Sequence, residues 1–374
     1  MPVNSVNFLW DAAPPRLRFR TGVSLHSHTL HSRESLAFLP MVLHPVPVVG
    51  FALRKLEEQY RRKTGRELEY HRGYWTPPLP AHDAFRLERS QIETKLGLAG
   101  LVSLTDHDDL EACQRLQLID EGCRIPFSVE WTAPFRRAAF HIGVHNLPPE
   151  SAAGWLREMR AYTALPALPR LREILAALHE IPEVLVVLNH PLSDEGRVGR
   201  MVHRGSLEEF LRDYRGVIHA LELNGMHPWR HNREVIDIAR AAGLPVVSGG
   251  DRHGCEPNAI VNLTNAAAWE EFVAEVRSGH SHVLFMPQYR ESLMLRYIEN
   301  LWHILRDHPA LPDRFHWSDR VFWDHHGVGL IPLSSCLPEM PPAVTGAMHL
   351  LDWLMSPGVH TTLSALARRQ EIAL

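Results

Sequence analysis

The sequence predicts an α/β fold resting on a parallel sheet, either open or closed into a barrel. Three observations lead there. Short runs rich in β-branched residues alternate with segments of helical periodicity, a pattern that argues for parallel strands joined by crossover helices. The chain has 374 residues, enough for one large barrel or two ordinary domains. Its composition, 45% hydrophobic and 22% charged, is that of an ordinary globular protein.

The candidate strands, in order, are Thr21–Leu25, Leu101–Thr105, Ile125–Val129, Ala139–Val144, Val184–Leu188, Val217–Leu223 and Leu244–Ser248. Helices are expected between most of them. Phe85–Leu96 stops at Gly97, and Leu110–Glu121 at Gly122, each a suitable C-cap. Ser151–Tyr162 and Leu168–Glu180 precede the fifth strand. Ser206 is placed to cap Leu207–Tyr214, with Glu209 at the capping-box position, and Asn232 to cap Arg233–Ala242 before Gly243. Two regions depart from the alternation. Residues 35–84 form a long insertion between strands one and two, with a basic helix around Leu53–Lys63 and the run Tyr74-Trp75-Thr76-Pro77-Pro78. Residues 290–374 read as helices joined by Pro-rich loops. The expected division is a barrel domain over 1–289 and a helical extension over 290–374.

A formal charge of −4 argues against a general nucleic-acid-binding surface. Four cysteines lie far apart with no C-x-x-C pair, which fits a reducing cytoplasm. No signal peptide or membrane-spanning run is expected.

The strand ends carry the chemistry. His26 and His28 follow strand one, Asp106-His107-Asp108 strand two, and Glu130 strand three. His141 lies in strand four, Asn189-His190-Pro191 follow strand five, Glu222 and Asn224 belong to strand six, and Asp251 and His253 follow strand seven. In a parallel barrel the C-terminal strand ends converge on one face. Each residue alone has a plain explanation, such as a core histidine or a helix cap. Together they point to a metal site. Imidazoles and carboxylates without cysteine suit Zn, Mn or Fe. The candidate ligands exceed what one ion can use, so two or three divalent ions are expected, with Glu130 able to bridge.

His26-Ser27-His28-Thr29, Leu104-Thr105-Asp106-His107-Asp108, Glu130, Asn189-His190-Pro191 and Ser248-Gly249-Gly250-Asp251-Arg252-His253-Gly254 resemble the successive motifs of the PHP (polymerase and histidinol phosphatase) family. The resemblance spans roughly residues 21–265. It implies a distorted (β/α)7 TIM-like barrel, here with an inserted lid-like segment and a C-terminal helical extension. It also implies phosphoester hydrolysis by metal-bound hydroxide at a trinuclear centre. Carried over by position, His26, His28, Glu130 and Asp251 would hold one ion, Glu130, His141 and His190 a second, and His107 and His253 a third. Arg33 stands where the family usually has an aspartate. Glu34 is the first candidate for the missing ligand and His31 another.

Asp108 and His227 are candidate proton donors. Arg197, Arg200, Arg204 and Arg230 are candidate substrate contacts, because arginine can grip phosphate in bidentate fashion. The expected partner is a small phosphorylated molecule, with a nucleotide or short oligonucleotide favoured by Tyr74 and Trp75, since base stacking contributes ~1–3 kcal/mol. An amidohydrolase and a catalytically impaired binding module are the rival readings. Asp324-His325-His326-Gly327 lies outside the alternation and reads as a loop.

Overall fold

A computed structural model describes residues 3–10, 18–40, 44, 47–119, 125–309, 316–325, 329–336, 342–367 and 372. The side chain of His325, with His326 and Gly327, lies outside them. The strands in chain order are Val3–Phe8 (β1), Thr21–Ser24 (β2), Glu34–Ser35 (β3), Gly73–Trp75 (β4), Ala99–Val102 (β5), Phe127–Phe135 (β6) and Ala138–Leu147 (β7). There follow Leu185–Leu188 (β8), Ala220–Asn224 (β9), Val246–Gly249 (β10), Ile260–Thr264 (β11), His280–Phe285 (β12), Val321–His325 (β13) and Gly329–Pro332 (β14). They make three sheets, ordered β1-β12-β11-β2-β5, β10-β9-β8-β7-β6 and β14-β13-β4-β3.

None of these sheets closes on itself, which overturns the expected (β/α)7 TIM-like barrel. The reason is local. Between β6 and β7 the chain has only Arg136 and Arg137, with Arg136 at φ 54°. A parallel crossover needs a dozen or more residues, so β6 and β7 form an antiparallel hairpin, and β7 runs antiparallel to β8 as well. On the other sheet β11 is antiparallel to both β2 and β12. The two five-stranded sheets are bridged at isolated points only: Ser27 pairs with Arg252, and His107 with Glu130. Those seams lie at the strand ends where the candidate ligands sit.

The helices are Pro47–Thr64 (α1), Ala81–Gln91 (α2), Glu111–Ile119 (α3), Pro149–Ala164 (α4), Leu168–His179 (α5), Arg200–Tyr214 (α6), Trp229–Ala242 (α7), Trp269–Arg277 (α8) and Leu293–Ile304 (α9), with further helices toward the C-terminus. Gly97 and Gly243 end their helices in the left-handed conformation, as expected. Two expected caps fall inside helices instead. The Ser206 hydroxyl donates to the Val202 carbonyl within α6, and Asn232, within α7, uses its amide to hold the backbone of Asn224. A buried cluster packs between the large sheets. Val23 and Leu25 from one sheet meet Leu185, Val187 and Val247 from the other, over Trp269, Phe272, Val273 and Val276 of α8. Burial of each such side chain stabilises the fold by about 1.5–3 kcal/mol.

The third sheet joins the insertion to the C-terminal segment, since β4 pairs with β13. Residues 290–374 therefore contribute a β-hairpin as well as helices. Arg320 is 1% exposed and ties these parts together through the carbonyls of Thr76, Ile304 and Arg306. The basic helix α1 faces solvent, where Arg62 and Lys55 pair with Glu58. Among the described residues no helix is long and apolar enough to cross a membrane.

Candidate metal centre

Glu130 stands at the middle of the cluster, 0% exposed, with its two oxygens facing different imidazoles. Its Oε2 lies 3.0 Å from His26 Nε2, 3.2 Å from His28 Nε2 and 3.3 Å from His107 Nε2. Its Oε1 lies 3.2 Å from His190 Nε2 and 3.4 Å from His141 Nδ1, and accepts from the Asn189 amide at 2.9 Å. Asp251 Oδ1 approaches the same His26 and His28 nitrogens at 3.6 and 3.5 Å. His26, His190 and Asp251 all have positive φ, so the chain turns sharply just past the strand ends to aim these side chains inward.

The loop after the first motif brings a further carboxylate, that of Glu34, to the cluster where Arg33 does not reach. Glu34 leads β3, and its Oε1 lies 3.2 Å from His253 Nε2 while Oε2 lies 3.2 Å from His107 Nε2. The Ser32 hydroxyl donates to Glu34 Oε1 at 2.6 Å. Arg33 is exposed, and His31 turns away to Glu111 at 3.4 Å.

These residues fit a metal. Among the described residues, four groups have ligand atoms close enough to share an ion: His28, Glu34, His107 and His253; His26, His28 and Glu130; His107, Glu130 and His141; and His141, His190 and Glu195. Glu130 Oε2, His107 Nδ1 and His141 Nδ1 are buried without a hydrogen-bond partner. His26 Nε2 and His28 Nε2 face each other at 3.0 Å. Buried polar atoms are normally paired, and a cation satisfies a carboxylate oxygen ringed by imidazole nitrogens.

The electrostatics agree. Burial pushes the Glu130, Asp251 and Glu34 carboxyls up, but the surrounding histidines outweigh it and hold all three well below the usual range. Burial pushes His26 and His107 down, and their carboxylates more than reverse it. The same opposition lifts His190 to about 9. Without a cation, protons on imidazoles balance the carboxylates, so metal binding releases protons.

Further residues orient the ligands. Glu222 Oε2 lies 2.7 Å from His26 Nδ1, leaving Nε2 to face the centre. A carboxylate of this kind fixes the ring and its tautomer. Gly249 makes room for it, since a Cβ there would lie 2.0 Å from the Glu222 carboxyl carbon. Asp106 accepts from the Thr29 backbone and hydroxyl at 2.6 and 2.7 Å, tying the first motif to the second, and burial raises its carboxyl to about 7. Sequence reasoning named Glu222 only as a strand-end residue and missed Glu195, which sits 3.6 Å from His190 Nδ1.

The centre opens into a cavity of about 1080 Å³, lined among others by Tyr74, Trp75, Asp108, Arg33, Arg160 and Arg197. Asp108 accepts from the Thr132 backbone at 3.2 Å, and burial raises its carboxyl above the usual range. Arg197 reaches the Ala37 carbonyl across the mouth. Arg204 pairs instead with Glu234 and Glu208, and Arg200 and Arg230 are exposed outside the lining. His227 is half-buried beside Ser193 at 3.2 Å, also outside the lining, and desolvation lowers it to about 4. Arg33 and Arg160 take the places expected of Arg200, Arg204 and Arg230 on the cavity wall.

No protein-family profile and no curated protein matches this chain. Among solved structures it is similar to PsfC of Pseudomonas syringae, at 14% identity and TM-score 0.38, over 59% of this chain and 88% of that one. It is also similar to a protein of Bifidobacterium adolescentis assigned as a metal-dependent phosphoesterase, at 16% identity and TM-score 0.38, over 70% of this chain and 96% of the other. An amidohydrolase of Chromobacterium violaceum, whose structure holds sulfate and no metal, gives 15% identity and TM-score 0.34, over 62% and 87%.

Proposed function

We propose that this protein is a metal-dependent phosphoesterase acting on a small phosphorylated molecule, such as a nucleotide or an oligonucleotide end. One observation carries the reading. The two oxygens of Glu130 face two separate imidazole sets at the floor of a cavity whose wall bears Arg33, Arg160 and Arg197.

Two or three divalent ions (Zn, Mn or Fe) would supply a water of lowered pKa and positive charge for the phosphoryl oxygens. His26, His28, Glu130 and Asp251 would hold one ion, Glu130, His141 and His190 the next, and Glu34, His107 and His253 the third. Arg33 and Arg197 present guanidinium groups that match phosphate oxygens in geometry and charge. Asp108 faces the same cavity and is the group placed to give a proton to the leaving oxygen. Tyr74 and Trp75 offer an apolar wall to the organic part, and β4 of the insertion narrows the access of water. The free thiols of Cys113 and Cys255 suit a cytoplasmic setting.

The test is phosphate release from a panel of phosphomonoesters, phosphodiesters and nucleoside bisphosphates under Zn, Mn and Fe loading. Turnover of at least one phosphoester is expected. Cleavage of amides or lactones with no phosphoester turned over would sink the reading.

A further inference from the structure

The middle residues of the two triplets facing the centre point away from it. Ser27 lies between His26 and His28, Arg252 between Asp251 and His253, and the two are joined by a parallel bridge. Behind that bridge stands Glu88 of α2, 0% exposed. Its Oε1 accepts from Arg252 Nε at 2.9 Å and from the Ser27 hydroxyl at 3.3 Å. Its Oε2 accepts from the Ser24 hydroxyl at 2.9 Å, and the Asn258 backbone N–H reaches both oxygens at 3.1 and 3.2 Å. Arg252 directs its other donors to the ligand loops themselves, Nη2 to the His28 carbonyl at 3.0 Å and Nη1 to the Gly254 carbonyl at 2.8 Å. Neither Glu88 nor Arg252 lines the cavity.

We infer that Glu88 and Arg252 are positioning residues, which set the distance between the His26–His28 turn and the Asp251–His253 turn and thereby the affinity for the ion held between them. The inference rests on the metal centre proposed above. Its physical basis is the geometry of the fork. A planar guanidinium with one edge on a buried carboxylate can hold two carbonyls at a fixed separation, which a lysine ammonium cannot do. Those carbonyls belong to a ligand residue on one turn and to the neighbour of a ligand residue on the other. A shift of the pair therefore carries imidazoles with it, whereas none of the pair's hydrogen bonds reaches His141 or His190. Glu222 steadies one ring; the Glu88–Arg252 pair sets the separation of two chain segments more than 220 residues apart in sequence.

The full-length protein is stripped of metal and titrated with Co(II) and Zn(II) against a competing chelator. The wild-type chain takes up at least two ions, and His141→Ala identifies the uptake phase that belongs to the opposite flank. Glu88→Gln keeps its far-ultraviolet circular dichroism and the His141 phase. It binds the other ion about 10–100-fold more weakly, the usual cost of losing a residue that supports metal ligands, with a changed visible Co(II) spectrum. Arg252→Lys keeps the charge pair but loses the fork and gives the same selective weakening, so the test stands even where Glu88→Gln does not fold. Wild-type affinity in a folded variant, or equal loss of both phases, overturns the inference. A wild-type chain that takes up no ion overturns the metal centre itself, a result distinct from either.

Discussion

The two flanks of the cluster are built differently. On one, His26 and His28 are enclosed and Asp251 reaches the cavity, with Glu222 behind His26 and the Glu88–Arg252 pair behind both turns. On the other, His141 and His190 face the cavity, His141 Nδ1 has no hydrogen-bond partner, and the nearest extra carboxylate is Glu195, with its side chain 38% exposed. On the function proposed above, the contrast would separate a holding half from a working half, and each can be weakened on its own.

The largest effect is expected where the flanks meet. Glu130→Gln keeps the volume and removes the shared charge, so metal content should fall on both sides while circular dichroism stays unchanged. Charge stabilisation by bound ions is worth several kcal/mol, so phosphoester turnover should drop by about 10³-fold or more. Full activity in this variant would remove Glu130 from the centre. Next, Glu222→Gln should loosen the enclosed flank alone, weakening its metal affinity about 10–100-fold; unchanged affinity in a competition titration would show that the ring of His26 needs no support. On the open flank Glu195→Gln should weaken metal binding by less than about tenfold, since its contact with His190 is long and partly solvated. A loss as large as that of Glu222→Gln would erase the difference between the flanks.

The smallest effect is a control at the opposite strand ends. His219 Nδ1 accepts from the Val186 N–H at 2.9 Å, its Nε2 lies 2.9 Å from His179 Nδ1, and Arg277 is close by. Burial first, then Arg277 and His179, lower His219 from 6.5 to about 3. The unfolded chain therefore takes up this proton before the folded one does. The stabilisation is complete above pH 6.5 and is lost as pH falls toward 3, by up to about 1.4 kcal/mol per pH unit. Urea midpoints at pH 7.5 and about 5.5 should separate more in the wild type than in His219→Gln. Equal pH slopes in the two proteins would remove His219 as the cause. Titration of the metal ligands cancels in that difference.

The strand ends were legible because strand side chains repeat every second residue and motif residues follow apolar runs. All the expected strands are present within a few residues, and the ligands they carry converge. Closure is misread when Ile125–Val129 and Ala139–Val144 are taken for parallel neighbours, because the nine residues between them leave no room for a crossover. β1, β11 and β12 were missed because they bear no motif, yet they make most of one sheet. Glu34 was readable from its offset to the first motif. Glu222 and Glu88 were not, since a carboxylate 196 residues from His26 becomes its partner only through the sheet order. Among the arginines, position on the chain identified Arg197 but not Arg33 or Arg160, which reach the cavity from a loop and from α4.

The small sheet imposes an order of events on synthesis. Glu34 pairs with Trp75, and Trp75 in turn with Val321. By the time His280–Phe285 leaves the ribosome, every strand of the two large sheets has been made. The strand carrying the wall beside Glu34 still lacks its second neighbour for some 35 residues more. Domains fold as units while the chain emerges, so the scaffold is set first and the mouth of the cavity last. A nascent chain thus completes the strands behind the candidate ligands before it has a finished pocket beside them.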